Sequence, residues 1–120
     1  MRTREAAHKV RHDLGKYVHL EARWLGEDST DQEYRDALRT DLLRTRRGPD
    51  GDEDCVTLWA RLRPEVAEFD TRELDALIAQ LGEAMRALDA LPGPTLRRVS
   101  GVAREAAEAC RRLGEREGGN

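Results

Sequence analysis

Hydrophobic residues recur at steps of three and four along most of this chain, and this spacing constrains the fold more than any other feature. The clearest case falls between residues 70 and 91, where the apolar positions are Leu74, Leu77, Ile78, Leu81, Met85 and Leu88. This spacing places one apolar stripe along an α-helix, because a helix completes a turn in about 3.6 residues. Five segments carry the period and none alternates as a β-strand would. The sequence therefore predicts an all-α fold.

Capping residues and helix breakers set the bounds of the predicted helices. The helices are expected over about Thr3 to Leu25, Thr30 to Arg46, Asp54 to Leu62, Asp70 to Leu91, and Thr95 to Leu113. Thr30 with Glu33, and Asp70 with Glu73, have the spacing of capping boxes at two of the starts. Gly114 is expected to end the last helix.

Short connections between these helices favour antiparallel neighbours. The predicted architecture is therefore an antiparallel up-and-down bundle of four main helices with a short extra helix. A chain of 120 residues has room for one domain, which we expect to span residues 1–117. Residues 118–120 are expected to form a disordered tail.

Charge and apolar content exclude several classes of partner. The net charge is −3, and the arginines alternate with acidic residues rather than forming a block. This pattern predicts no nucleic acid and no membrane as partner. No apolar run approaches the length of about 20 residues that crosses a bilayer, and the N-terminus lacks a signal-peptide core, so we expect a cytoplasmic protein. Cys55 and Cys110 fit no metal-binding spacing and are expected to be buried free thiols.

All three histidines lie in one stretch near the N-terminus, "HKVRHDLGKYVHL". On a wheel of about 100° per residue, His8, His12 and His19 fall within about 40° of one another. Val10 and Leu14 fall on the other side of the helix, with the remaining apolar residues of the segment. The histidines are therefore expected to face solvent.

Gly15 lies in the middle of this predicted helix, where glycine costs about 1 kcal/mol relative to alanine. Two explanations remain open from the sequence. The glycine either gives a partner room to approach the histidines or allows a neighbouring helix to pack closely.

A solvent-facing imidazole keeps a neutral, nucleophilic nitrogen at cellular pH and can attack a phosphorus atom. His12 is the best candidate nucleophile, because Asp13 follows it and can orient the ring or accept its proton. Lys16, one turn later, can offset the charge of a transferred phosphoryl group. Phosphoryl transfer depends mostly on positioning and charge neutralisation, so these three residues suffice if a partner brings the metal and the acceptor carboxylate.

The segment "RHDLGKYVHLEARWL" resembles the H-box of histidine-kinase dimerisation and phosphotransfer domains, and it is similar to the histidine phosphotransfer domain, a four-helix bundle. The resemblance implies that His12 is phosphorylated, that Asp13 is the adjacent acid, and that Gly15 provides clearance. It also implies Lys16 as the charge partner. The chain has Tyr17 where the kinase pattern has proline, and its lysine lies one residue later than in the phosphotransfer pattern.

This resemblance implies a place in a two-component phosphorelay, with the receiver domain of a response regulator as partner. We expect His8, Gly15 and His19 to form the docking surface around the nucleophile. No nucleotide-binding motif is present, so the chain is expected to carry phosphate as an intermediate rather than to act as a kinase, and to need no cofactor. Monomer and homodimer both remain open.

"HDLGK" also resembles the His–Asp doublet of HD-domain metal-dependent phosphohydrolases. His8 and His12 have the i, i+4 spacing of two metal ligands, to which Glu5 or His19 would add a third. We predict that these groups do not converge and that the protein holds no metal. A further alternative is a helical interaction module, such as a degenerate phosphotransfer fold, that binds a partner without chemistry.

Overall fold

A computed structural model describes residues 2–14, 25–42, 46–48 and 51–118 of the chain. The helices and strands in these ranges are α1 (Arg2–Lys9), α2 (Asp31–Leu42), β1 (Arg46–Gly48), β2 (Gly51–Glu53), α3 (Cys55–Leu62), α4 (Arg72–Arg86) and α5 (Gly93–Gly118). A π-helical turn, Val10–Leu14, follows α1 directly, and two 3-10 turns, Arg63–Val66 and Leu88–Ala90, follow α3 and α4. The prediction of an all-α fold is confirmed.

The longest helix, α5, lies at the centre of the molecule. It packs against α4, α2, α1 and the π-helical turn. Arg112, late in α5, pairs with Glu73 at the start of α4. The end of α4 and the start of α5 meet at the corner that joins them, so these two helices are antiparallel. The helix contacts agree with the predicted bundle.

One continuous hydrophobic core holds the helices together. The stripe predicted for α4 lies in this core, where Leu74, Leu77, Ile78, Leu81 and Leu88 are buried. Gly82 lies beside that stripe, and a Cβ atom there would come within 3.2 Å of Val56 Cγ2 on α3. The glycine therefore allows α3 and α4 to pack closely.

The start of α2 follows the predicted capping chemistry. The Glu33 backbone N–H donates to Thr30 Oγ1 at 3.1 Å, and the Thr30 backbone N–H donates to Glu33 Oε1 at 2.8 Å. These two bonds satisfy backbone donors that the first helical turn leaves without partners. At the start of α3, the Asp54 carboxylate accepts from the Thr57 backbone N–H at 2.9 Å.

The second predicted capping box, Asp70 with Glu73, is wrong. The α4 helix begins at Arg72, and the Asp70 carboxylate accepts from the Arg72 backbone N–H at 3.2 Å and also binds its guanidinium. Glu73 turns instead to Arg112 on α5. The Glu73 side chain, which the local pattern assigned to the cap, therefore forms an ion pair between two helices instead.

A short antiparallel hairpin, β1 with β2, forms in the connection between the second and third predicted helices and includes the last residue that was predicted as helix. Helix was expected to reach Arg46, but Arg46 pairs with Glu53 as the first residue of β1. The described part of α2 ends at Leu42. Gly51 adopts a φ of +119°, which side-chain-bearing residues rarely adopt, at the turn that pairs it with Gly48. With three residues a strand, the hairpin leaves the fold class unchanged.

The ends of the last two helices also differ from the prediction. The α-helical part of α4 ends at Arg86 and the 3-10 turn follows, whereas Leu91, which precedes a proline, is extended with ψ of 131°. α5 begins at Gly93 and continues to Gly118, so the prediction that Gly114 ends it is wrong. A single glycine costs about 1 kcal/mol, which the flanking good helix formers offset. Residues 119 and 120 lie outside the described residues.

The first predicted helix is not a regular α-helix over its whole length. The α-helical hydrogen bonding ends at Lys9 and is replaced by the π-helical turn, and Leu25 is not helical. A π-helical turn widens the ring of backbone bonds by one residue, and hydrophobic spacing over five residues does not distinguish it from an α-helix. Residues 15–24 lie outside the described residues.

Arginine side chains attach α2 to the corner between α4 and α5. Arg35 donates to the carbonyl of Leu91 at 2.8 Å and to that of Leu88 at 3.4 Å. Arg97 donates to the Asp31 carboxylate at 2.6 Å. The two Arg35 bonds end on backbone carbonyls of the corner, and the Arg97 bond ends on a carboxylate of α2. Within the described ranges, no helix has the length and apolar character needed to cross a membrane.

Candidate functional site

The π-helical turn holds the His12–Asp13 doublet at the surface. Val10 and Leu14, at the two ends of the turn, are fully buried in the core. His12 and Asp13 lie between them, and their side chains are 56% and 50% exposed. The buried ends anchor the backbone while the polar residues between them reach solvent, as the helical wheel predicts for His12.

His12 and Asp13 contact each other through a ring nitrogen. His12 Nδ1 lies 3.3 Å from Asp13 Oδ1. An ionised carboxylate only accepts hydrogen bonds, so Nδ1 carries the proton in this contact. The neutral ring then has its lone pair on Nε2, on the opposite side from Asp13.

His8 stacks on His12 but makes a different hydrogen bond. The two ring centroids are 5.7 Å apart and the planes differ by 20°. The Arg11 guanidinium lies 3.4 Å from His8 Nδ1, and since arginine only donates, this nitrogen of His8 accepts. The lone pair of His8 is therefore occupied by Arg11, whereas that of His12 is directed away from its partner.

Asp13 interacts electrostatically with Arg61, a cation of α3. Arg61 donates two hydrogen bonds to the buried Glu53 carboxylate, at 2.6 and 3.2 Å. These bonds are the largest cause of the raised pKa of Arg61; burial opposes them, and the charges of Glu53, Asp13 and Glu65 raise the pKa further. The carboxylate that orients His12 therefore lies in the field of a guanidinium fixed by the hairpin.

The described part of the site contains His8, His12 and Asp13 of the predicted residues. Gly15, Lys16 and His19 lie outside the described residues. Among the described residues, no three histidine, cysteine or acidic side chains form a group able to hold a metal ion.

Sequence reasoning did not identify Arg11 and Arg61 as parts of this site. The spacing in the sequence could have identified Arg11, because it lies three residues after His8 and so on the same helical face. No such spacing points to Arg61, since it comes from a helix about fifty residues further along the chain and only the tertiary packing brings it close.

Both cysteines are buried free thiols, as predicted. Burial, with a smaller contribution from the charge of Asp54, raises the pKa of Cys55 to about 11. Burial, with a smaller contribution from Cys55, raises the pKa of Cys110 to about 12. The thiolate is the reactive form of cysteine, so neither thiol competes with His12 as a nucleophile at neutral pH.

No family model, curated protein or solved structure matches this chain. The resemblance to phosphotransfer domains therefore rests on the segment around His12 and on the helical architecture.

Proposed function

We propose that this protein is a cytoplasmic histidine phosphotransfer protein of a two-component phosphorelay, and that it carries the phosphoryl group on His12. The single observation that supports this function best is the contact between His12 Nδ1 and Asp13 Oδ1 on an exposed π-helical turn. It leaves Nε2 of His12 with a lone pair directed away from Asp13. π-Helical turns are rare and occur frequently at functional sites.

The proposed reaction is attack by His12 Nε2 on the phosphorus of an aspartyl phosphate in a receiver domain. The nitrogen lone pair forms the N–P bond while the P–O bond to the aspartyl carboxylate breaks, and its electron pair leaves with the carboxylate. Nδ1 keeps its proton, so the phosphorylated ring is an imidazolium. The Asp13 carboxylate stabilises that positive charge through the same hydrogen bond.

Neighbouring cations offset the negative charge that arrives with the phosphoryl group. The Arg11 guanidinium lies 3.4 Å from His8 Nδ1, and the charge of Asp13 contributes to the raised pKa of Arg61 on α3. Lys16 belongs to the proposal as a further charge partner. His8, Gly15 and His19 are proposed to contact the receiver domain, with the glycine leaving room beside the nucleophile.

The decisive experiment incubates the protein with phosphorylated receiver domains and measures acid-labile, base-stable phosphate on the chain. The His12→Gln variant is expected to take up no phosphate and to retain its helical circular dichroism, since exposed substitutions usually change stability by less than about 0.5 kcal/mol. His8→Gln is the comparison variant, because it removes a proposed contact with the receiver domain and leaves the nucleophile in place. It should lower the uptake far less than His12→Gln does.

Three results would contradict the proposal. If the wild-type chain accepted phosphate from no receiver, a helical interaction module without chemistry would be the better account. If His12→Gln were labelled as well as wild type, the phosphate would reside elsewhere. Stoichiometric zinc, manganese or iron in the purified protein would favour the HD-type phosphohydrolase instead.

A further inference from the structure

The end of α4 and the start of α5 enclose a groove of about 290 Å³ that nothing in the proposed phosphotransfer uses. Its floor contains the buried Ala84 and Val99. Its walls contain the exposed Ala87 and the half-buried Leu91 and Val102. The helical hairpin therefore presents a mainly apolar face to solvent at this end.

The rims of this groove carry one acidic and one basic side chain. Glu83 stands on α4 and Arg98 on α5, and both are exposed. Within the part of the chain that the structure describes, neither forms an ion pair or a side-chain hydrogen bond. The groove is thus mainly apolar, and the described residues supply no ion-pair partner for the two opposite charges on its rims.

A second groove, of about 310 Å³, lies at the other end of the same hairpin and shows the contrast. There Asp70 pairs with Arg72, and Glu73 pairs with Arg112. The charged side chains around that groove form ion pairs within the chain. Among the described residues, no such pair is formed by the two charged side chains of the first groove.

We infer that the groove between Ala84 and Val102 is the interface of a homodimer. A two-fold axis parallel to the hairpin would stack α4 of one copy on α5 of the other. Because Glu83 and Arg98 line the same groove on different helices, this arrangement would place each Glu83 opposite Arg98 of the second copy. Such an interface uses the same patch on both copies, which requires a patch complementary to itself.

The charges favour a second copy over other occupants. A patch with one acidic and one basic side chain can be complementary to itself, because a two-fold axis can place the acid of each copy opposite the base of the other. A strongly acidic or strongly basic partner would meet one rim with a like charge. The inference goes beyond the proposed function and does not depend on His12.

The test measures self-association by sedimentation velocity over a range of protein concentrations. Wild type is expected to show a reversible monomer–dimer equilibrium. Glu83→Arg and Arg98→Glu should each weaken the dimer at least about tenfold, because each reversal places like charges at both symmetric contacts. Glu27→Arg, an exposed charge reversal away from the groove, is the matched control and should leave the equilibrium unchanged.

Mixing the two variants gives the sharpest result. An equimolar mixture of Glu83→Arg and Arg98→Glu restores opposite charges at both contacts, so a dimer should form although neither variant dimerises well alone. An ion pair within one chain cannot produce this rescue. A wild-type protein that remains monomeric at every concentration, or a mixture that fails to restore the dimer, would overturn the inference. Circular dichroism of each variant checks that the helices are intact.

Discussion

Two aspartates in this molecule accept a hydrogen bond from an aromatic ring N–H, yet their surroundings differ. Asp75 accepts from Trp59 Nε1 at 2.9 Å, from Arg63 Nε at 2.7 Å and from Thr71 Oγ1 at 3.1 Å. The Asp13 carboxylate lies 3.3 Å from the Nδ1 atom of the His12 ring. The Asp75 side chain is 30% exposed and that of Asp13 is 50% exposed.

The difference separates a carboxylate that holds the fold together from one that is available for chemistry. Asp75 lies near the start of α4 and connects it to α3 and to the 3-10 turn that follows α3. Its two oxygens accept hydrogen bonds from three side chains. Asp13 contacts His12, its neighbour in the chain, and its side chain is half exposed, so its negative charge can respond when His12 becomes positively charged. An aspartate that accepts from an aromatic ring N–H thus contributes to stability in one place and, in the proposed function, to catalysis in the other.

The largest expected effect comes from removing the Asp75 carboxylate, which accepts hydrogen bonds from three side chains. Asp75→Ala should lower the free energy of unfolding by about 2 to 3 kcal/mol, because it leaves the Trp59 indole N–H buried without an acceptor. Urea denaturation measures the change. Arg72→Gln, which breaks an exposed ion pair nearby, is the control and should produce no measurable loss. A loss below about 1 kcal/mol for Asp75→Ala would show that the network contributes little to stability.

The replacement of one hydrogen bond in the network should have a smaller effect. Thr71→Val keeps the shape of the side chain and removes the hydroxyl that donates to Asp75 Oδ2. The expected loss is about 1 kcal/mol, the usual net contribution of one such bond. Thr71 makes no side-chain bond to the helix backbone as the N-cap of α4, so loss of a cap does not complicate the result. A thermal unfolding curve that coincides with wild type would contradict this prediction.

The charge of Asp75 should also make stability depend on pH in acid. Burial, the largest single influence, would raise the pKa of Asp75, but hydrogen bonds from Arg63, Trp59 and Thr71 and the charge of Arg63 outweigh it and lower the pKa from its ordinary value of 3.8. A group whose pKa is lowered on folding stabilises the folded state above its unfolded pKa, and that stabilisation is lost as the pH falls through the folded pKa.

The stability advantage of wild type over Asp75→Asn should therefore be constant near neutral pH and shrink below about pH 4. Asparagine keeps an acceptor oxygen for Trp59 and cannot ionise, so the pH dependence of the difference between the two proteins reports the titration of Asp75. Urea denaturation of both proteins across this range measures the difference. A difference that stayed the same, or grew as the pH fell, would show that the pKa of Asp75 is not lowered by folding.

Local chemistry predicted the parts of this fold whose partners lie close in the sequence. Thr30 and Glu33 form their capping box because both bonds close within one helical turn. The pattern failed where a distant residue competed, since Glu73 binds Arg112 instead of capping α4. Hydrophobic spacing likewise identified the buried stripe of α4, but it carries no information about the hairpin, whose strands have no apolar alternation.

The candidate site shows the same limit. The wheel placed His8 and His12 on one exposed face because both lie on one helical segment, and the structure shows them there, stacked. The π-helical turn that distinguishes His12 was not predictable, because five residues are compatible with either helical form. Arg61 was not predictable either, since its approach to Asp13 depends on how α3 packs against the turn.

The smallest change in stability is expected for Asp13, the aspartate beside His12. Asp13→Asn should alter the free energy of unfolding by less than about 0.5 kcal/mol, because the side chain is half exposed and makes one long contact. Asparagine can still accept from His12 Nδ1, but it carries no charge to stabilise the imidazolium, so phosphate transfer should slow at least about tenfold. Asp28→Asn, an exposed acid outside the site, should change neither quantity. If Asp13→Asn instead cost as much stability as Asp75→Ala, the two aspartates would both be structural, and if it transferred phosphate at the wild-type rate, Asp13 would have no part in the chemistry.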